Sequence, residues 1–263
     1  MSSELVHLAI EKGIATITLD SPENRNALSR QLTTELEAHV NTALAEARAR
    51  VIVLTGTGSV FCSGADLKEQ RVANETQATG QTGPGGLVPI LQALWRSPKP
   101  VIGRIDGSAR AGGLGLVAAC DIAVAADSAT FAVSEVRIGV IPAVISVLLV
   151  RKLGESRSME LFLTGEVFSA QRAAEIGLLN ACAPADELDA AVDRYVAAIL
   201  KGAPGALGGA KQLVRDVPGM ADVDAAFEAM SVRSATYFAS EDAREGMTAF
   251  AEKRPPSWQE DVR

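Results

Sequence analysis

The sequence has only two histidines, His7 and His39. Histidine is the usual base of a nucleophilic triad and a common metal ligand, so this scarcity argues against both kinds of site, and no metal is expected. The three cysteines, Cys62, Cys120 and Cys182, are odd in number and far apart. They predict neither a disulfide framework nor a zinc site, and they favour a reducing compartment such as the cytoplasm.

Aromatic residues make up only 4% of the 263 residues, so the core must be built from aliphatic side chains. No apolar run reaches the roughly 18 residues that a membrane helix needs, and the first residues do not resemble a secretion leader. No basic cluster resembles a nucleic-acid footprint. We therefore expect neither a membrane nor a nucleic-acid partner. Because the net charge is -7, a polyanionic ligand would need a local group of lysines and arginines.

Short aliphatic and β-branched runs recur along the first part of the chain. Residues 7–19 alternate and turn at Lys12-Gly13, which predicts a hairpin. Continuous apolar runs, typical of strands covered on both faces, follow at 51–55, 101–105 and 122–125. Helical patterns separate these runs, and this alternation predicts a fold of the α/β class.

The last part of the chain has helical patterns alone. The first long helix is predicted over 27–50 with Ser29 as its cap, and the last over 222–250. The change of pattern divides the chain into a core over 1–201 and a helical extension over 202–263. Further helices are predicted at 87–95, 142–152, 156–163, 169–176, 185–201 and 206–215. The polar, glycine-rich residues 70–86 predict a mobile loop.

Two turns of small residues stand out, at 63–66 and at 111–114. Backbone N–H groups in such turns can point at a ligand, and two converging donors would form an oxyanion hole. Glycine turns also often do no more than pack against a sheet, so both interpretations stay open here. Residues 113–118 match a dinucleotide-binding pattern, but the first glycine does not directly follow a strand as that motif requires.

Four segments, in order along almost the whole chain, resemble the signatures of the crotonase, or enoyl-CoA hydratase/isomerase, family. They are residues 61–69 (FCSGADLKE), 105–124, 131–142 and 245–254. The resemblance implies a crotonase-like spiral of ββα units followed by a C-terminal helical trimerisation region. It also implies a homotrimer, or a hexamer built as a dimer of trimers.

The resemblance implies an acyl-CoA thioester as substrate, with coenzyme A as its carrier part and no separate cofactor. It assigns the oxyanion hole to the backbone N–H groups of Ala65 and Gly112. The positions that it matches to coenzyme A binding are Arg25, Ala27, Asp66, Leu67, Lys68 and Lys253. Lys253 could reach the phosphates from a neighbouring subunit. Without the resemblance, Arg25, Lys68 and Lys253 would be taken for solvated surface charges.

The resemblance also points to the acid–base group. Hydratases of this family usually carry two glutamates, and Glu135 matches one of them. The other position falls three residues after Gly112 and holds Gly115. The apolar neighbours of Glu135 predict burial and a raised carboxyl pKa, which suits general acid–base work. The alternative is a capping glutamate, or one paired with Arg137.

A single carboxylate leaves several activities open. Residues 135–146 resemble methylglutaconyl-CoA-type hydratases, so we rank an enoyl-CoA hydratase first. A Δ3,Δ2-enoyl-CoA isomerase would use the same residues, and loss of one glutamate also fits a catalytically silent CoA-binding scaffold. A decarboxylase or a thioesterase is a further alternative, because one fold can host several chemistries. Arg110 and Ser108 could bind a carboxylate tail of the acyl group, and Cys62 is interpreted as a packing residue.

Overall fold

A computed structural model describes residues 3–75 and 86–259 of the chain. Within those ranges the strands are β1 (Val6–Glu11), β2 (Ile14–Leu19), β3 (Val51–Gly56), β4 (Val60–Cys62), β5 (Val101–Ile105), β6 (Ser108–Arg110), β7 (Ile122–Ala126), β8 (Thr130–Ala132), β9 (Phe168–Ser169) and β10 (Ala181–Ala183). The α-helices are α1 (Arg30–Ala45), α2 (Leu67–Glu75), α3 (Leu87–Arg96), α4 (Gly112–Ala119), α5 (Ala143–Leu153), α6 (Glu155–Thr164), α7 (Ala170–Glu175), α8 (Leu188–Leu200), α9 (Pro204–Asp216), α10 (Val223–Phe238) and α11 (Glu241–Glu252).

The strands form two sheets. The larger has the order β1-β2-β3-β5-β7-β10, and the smaller has the order β4-β6-β8-β9. Only the hairpin β1–β2 and the pair β8–β9 are antiparallel. The strand pairs β3–β4, β5–β6 and β7–β8 each add one strand to each sheet before the chain enters a helix. The predicted α/β class is confirmed, and the spiral is structural rather than an obvious sequence repeat.

Strand β3 shows why the central strands have continuous apolar sequences. Its first five residues are buried, and it lies between β2 and β5, parallel to both. Ile52 and Leu54 belong to the main core, which includes α1, while Val51 and Val53 pack with α8 on the other face. A strand covered on both faces has no polar side to alternate with.

Two predicted segments differ from the structure because of helix caps. Residues 70–75 of the predicted loop are helical in α2, and 76–85 lie outside the described residues. The Asp66 carboxylate accepts hydrogen bonds from the N–H groups of Lys68 and Glu69, and so it begins α2. The helix predicted over 222–250 is two helices, because the Ser240 hydroxyl caps α11 by accepting from the N–H of Ala243. The helix predicted over 27–50 is shorter, although Ser29 caps it as expected.

A buried group of charged side chains joins α9 to the core. The Asp121 carboxylate accepts hydrogen bonds from Lys211 (Nζ, 2.7 Å) and Arg215 (Nη2, 2.8 Å) of α9, and from the backbone N–H of Val101. The guanidinium of Arg215 also lies over the ring of Trp95, 4.0 Å from its centre. The side chains of Lys211 and Arg215 are only 8% and 11% exposed, so water screens this cluster weakly.

Several large apolar side chains are exposed on α10 and α11. No residue of α10 is buried, and Phe227, Phe238 and Phe250 are 73%, 68% and 86% exposed. Among the described residues, no helix combines the length and apolarity needed to cross a membrane.

We expect Asp121→Asn to lower the free energy of unfolding by about 3 kcal/mol, because it leaves two buried cations without a counter-charge. Urea unfolding followed by circular dichroism measures the loss. Glu160→Gln is the matched control, because it removes an ion pair with Arg172 in which both side chains are about half exposed. Its effect should stay below about 1 kcal/mol. Equal losses in the two variants would contradict the proposed role of the buried cluster.

Candidate active site

The predicted site residues follow three neighbouring strands of the smaller sheet, at one edge of that sheet. Strands β4, β6 and β8 run parallel to one another. The turn at 63–66 follows β4, the turn at 111–114 follows β6, and Glu135 comes shortly after β8. Because parallel strands end at the same edge, the topology places these three segments side by side.

The turns at 63–66 and 111–114 are in close contact. Gly64 has φ +89°, and a Cβ atom there would lie 2.8 Å from the Cβ of Ala111 and 3.2 Å from the nitrogen of Gly112. A Cβ atom at Gly113 would overlap the carbonyl oxygen of Cys62. Glycine is therefore required at both positions, because the two backbones approach more closely than side chains allow.

Two backbone donors lie at this contact. Within residues 3–75 and 86–259, neither the N–H of Ala65 nor that of Gly112 has a hydrogen-bond acceptor. Gly112 is the first residue of α4, where helical N–H groups have no partner within the helix. Ala111 enters that helix with φ 47° and ψ -118°, a strained conformation for a residue with a side chain. The arrangement leaves two amide donors without an acceptor on adjoining turns.

Glu135 begins a short 3₁₀ turn over residues 135–138 and is half-buried. Its Oε2 atom is buried and has no hydrogen-bond partner among the described residues. Burial raises the pKa of this carboxyl, and only its own backbone N–H opposes the shift. The alternative pairing with Arg137 is absent from the described ion pairs, and the Arg137 side chain lies beside Gly165 instead. Glu135 therefore has the environment of a proton carrier.

The position expected for a second glutamate is closed. Gly115 is buried in α4, and a Cβ atom there would lie 2.6 Å from Cγ2 of Ile145. The site therefore has one carboxylate at the two positions that the resemblance singles out.

The loop before α1 lies beside the first turn, as the predicted coenzyme A positions require. The N–H of Ser63 donates to the carbonyl oxygen of Arg25 (3.1 Å), and the N–H of Leu28 donates to that of Gly64 (2.8 Å). The Arg25 side chain is exposed and Ala27 is buried. Leu67 and Lys68, at the start of α2, are also exposed. The exposed positions Arg25, Leu67 and Lys68 therefore form a surface next to the turn at 63–66, and Ala27 is not part of it.

The predicted positions Asp66 and Lys253 have different surroundings. The Asp66 carboxylate is already engaged by Asn24 (Nδ2, 2.8 Å) and by the N–H groups that begin α2. These hydrogen bonds outweigh burial and lower its pKa. Lys253 follows α11, which contacts α9 and α10, so no described contact brings it to the other residues.

The structure argues against two other roles considered from the sequence. The polar atoms of Ser108 and Arg110 are used between β6 and β8, where both hydrogen-bond the hydroxyl of Thr130. These hydrogen bonds tie both side chains to β8, which argues against a role in binding a carboxylate tail. Cys62 is completely buried, and burial raises the pKa of its thiol to about 12, which supports packing rather than nucleophilic attack.

Asn26 is a site residue that sequence reasoning missed. It is fully buried with φ 50°, accepts a hydrogen bond from the N–H of Ser21, and donates to the carbonyl oxygens of Thr57 and Val60. It thereby holds the loop that carries Arg25 against the end of β3 and the start of β4. The available signal was an asparagine in a short polar loop, since asparagine tolerates the left-handed region.

Metal chemistry has no candidate site in the part of the chain that the structure describes. No group of three or more His, Cys, Asp or Glu side chains there could hold an ion.

Comparisons with known proteins agree with this fold. The mevalonyl-coenzyme A hydratase of Aspergillus fumigatus is 36% identical over 248 residues, which cover 93% of this chain and 91% of that protein. The human mitochondrial enoyl-CoA hydratase domain-containing protein 3 is 32% identical, with coverages of 94% and 80%. The crystal structure of an enoyl-CoA hydratase from Shewanella pealeana has a TM-score of 0.89 and 31% identity, with coverages of 97% and 96%. The family model for enoyl-CoA hydratase/isomerase matches residues 9–261, and the chain therefore belongs to this family, the crotonases.

Proposed function

We propose that the protein is an enoyl-CoA hydratase that adds water to a 2-enoyl-CoA, with Glu135 as its single acid–base carboxylate. The observation that carries the proposal is the buried Oε2 of Glu135, which has no partner among the described residues. Glu135 follows β8, which pairs with β6, the strand before the turn at 111–114. A buried carboxyl without a partner destabilises the fold, so its presence at this edge supports a chemical role.

In the proposed reaction, the thioester carbonyl oxygen accepts hydrogen bonds from the N–H groups of Ala65 and Gly112. Glu135 takes a proton from water as the water oxygen bonds to C3, and the electron pair of the double bond moves toward the thioester oxygen. Fixed donors stabilise that enolate charge without having to reorganise. Glu135 then returns the proton to C2, which completes the addition of one water molecule.

The second candidate is a Δ3,Δ2-enoyl-CoA isomerase. Gly115 and the apolar side chains of Ile145 and Leu91 next to it favour this alternative, because isomerisation needs one proton carrier and no bound water. Glu135 would remove a proton from C2 of a 3-enoyl-CoA and return it at C4. The oxyanion hole would act in the same way in both reactions.

The coenzyme A part of the substrate is assigned to the surface beside the turn at 63–66. The exposed side chains of Arg25 and Lys68 supply positive charge in a chain whose net charge is -7. Ala27, Leu67 and Asp66 would shape this surface, with Asp66 acting through the start of α2. Lys253 is assigned to the phosphates of a substrate bound in a neighbouring subunit.

A homotrimer, or a dimer of trimers, is part of the proposal. The exposed aromatic side chains of α10 and α11 support it, because large apolar patches on soluble chains usually mark interaction sites. A cytoplasmic location stays a prediction, since the human relative is named as mitochondrial.

Incubation with straight and branched 2-enoyl- and 3-enoyl-CoAs, with products identified by mass spectrometry, tests the reaction. We expect hydration of a 2-enoyl-CoA and a fall in kcat of at least roughly 100-fold in Glu135→Gln, since general acid–base catalysis contributes about 10²–10⁴-fold. A shifted double bond without water addition would instead identify the isomerase. Tight binding of coenzyme A without any product would favour the silent scaffold, and full activity of the variant would exclude Glu135 as the proton carrier.

Gly64→Ala is expected to lower kcat by roughly 10²–10³-fold, the usual effect of losing one oxyanion donor. The new Cβ atom would push the turn at 63–66 away from Ala111. Gly177→Ala is the matched control, because its φ of +85° imposes similar strain while no atom lies within 4 Å of the added Cβ. The control should lose some thermal stability and keep its kcat. Equal kcat values for the two variants would contradict the assignment of the oxyanion hole.

The stability of Glu135→Gln should depend on pH. Burial raises the folded-state pKa of Glu135, so the neutral acid stabilises the fold at low pH and this stability is lost as the pH rises through that pKa. At pH 7 the free energy of unfolding should be about 1 kcal/mol higher for the variant than for the wild type. The difference should shrink near pH 4. Urea unfolding at both pH values measures this, with the exposed Glu166→Gln as the control. A variant less stable than the wild type at pH 7 would show that the carboxylate has a stabilising partner.

A further inference from the structure

Positions 112 and 115 share one face of α4, because residues three apart in a helix are neighbours. A Cβ atom at Gly112 would meet Leu28 at 2.7 Å and Leu87 at 3.2 Å. One at Gly115 would meet Ile145 at 2.6 Å and Leu91 at 3.4 Å. This face of α4 is therefore covered by apolar side chains, and Ile145 of α5 makes the closest approach to position 115.

Ile145 is held firmly in that place. It is 2% exposed and belongs to the main core. Its Cγ2 atom makes the 2.6 Å approach, while its Cβ would remain at 3.5 Å, an ordinary contact distance. Because isoleucine is branched at Cβ, its side chain cannot rotate away without taking up a poor conformation. A glutamate at position 115 would have to displace it and would bury a carboxylate among leucine and isoleucine side chains.

We propose that Ile145 is a specificity-determining residue, which fills the space for a side chain at position 115 and restricts acid–base chemistry to Glu135. The inference rests on the proposed function, in which Glu135 carries the proton. Gly115 and Ile145 form a matched pair in this view, since a larger residue at one position requires a smaller one at the other. Both would have to change for the site to hold a second carboxylate.

This pairing has a consequence for the pH dependence of the reaction. A single carboxylate gives an acid limb in which the loss of activity follows one proton. Two carboxylates that share a water molecule titrate as a coupled pair, with two macroscopic pKa values. The acid limb of kcat/KM therefore reports the number of carboxylates in the site, which a purely structural role of Ile145 would not alter.

Four variants test the proposal: Gly115→Glu, Ile145→Ala, the double variant with both changes, and a control that combines Gly115→Glu with Leu149→Ala. Leu149 lies one turn after Ile145 in α5 and is equally buried. We expect Gly115→Glu alone to lower Tm by roughly 3–10 °C, through overpacking. The double variant should regain at least half of that loss, and the Leu149 control should regain none. With 2-butenoyl-CoA as the probe, the loss of kcat/KM at low pH should follow one proton in the wild type and two protons in the double variant.

Two results would overturn the inference. One is a Gly115→Glu variant with the Tm of the wild type, which would mean that Ile145 does not exclude a side chain there. The other is a double variant that regains its Tm but keeps a one-proton acid limb. If the wild type makes no product from any enoyl-CoA, the proposed function fails instead. Water addition acquired by the double variant would then still support the role of Ile145, and its absence would count against it.

Discussion

Two stretches of backbone, at 63–66 and 111–114, touch because Gly64 and Gly113 have no side chain where the stretches meet. Gly64 and Gly113 allow an approach that an alanine Cβ would block, and this approach places the amides of Ala65 and Gly112 on adjoining turns. Neighbouring elements of the fold position the two turns for this contact. Strands β4 and β6 hold the two turns side by side, and α4 begins within the second turn, at Gly112.

The same contact explains how polar and apolar groups are divided around the site. The free N–H groups belong to the main chain, so the surrounding side chains can be small or apolar without loss of these donors. The carboxyl of Glu135 is the exception, since it is polar, half-buried and unpaired at Oε2. Asn26 and Asp66 hold the neighbouring loop and α2 by hydrogen bonds, and so their polarity is satisfied within the fold.

The sequence predicts the larger sheet well and the smaller sheet poorly. Strands β3, β5 and β7 are recognisable because both of their faces are covered, so their apolar residues run without a break. Strand β6 has only three residues, directly before the turn at 111–114, and its pairing depends on contacts with β4 and β8. A local pattern cannot show such pairing, since it arises from tertiary contact alone.

The candidate site also has a part that local sequence shows and a part that depends on tertiary contacts. The two turns of small residues are visible in the sequence itself, whereas Glu135 is singled out by the resemblance of residues 131–142 to a family signature. The contact between Gly115 and Ile145 joins two helices and leaves no trace in local periodicity. The division of the last helical pattern at Ser240 was missed because a serine within an apolar pattern does not by itself mark a helix start.

The spiral arrangement also affects how the protein reaches its native state. In the smaller sheet, Val60 of β4 pairs with Ser108 of β6, and Ala109 of β6 pairs with Phe131 of β8. Each of these strands therefore pairs with a strand from the next turn of the spiral. Pairings between residues far apart in sequence close large loops and slow folding. An emerging chain thus contains the turns at 63–66 and 111–114 before β8 and Glu135 are made. Until β8 is made, one edge of β6 has no partner strand, and an unpaired strand edge can pair with other chains.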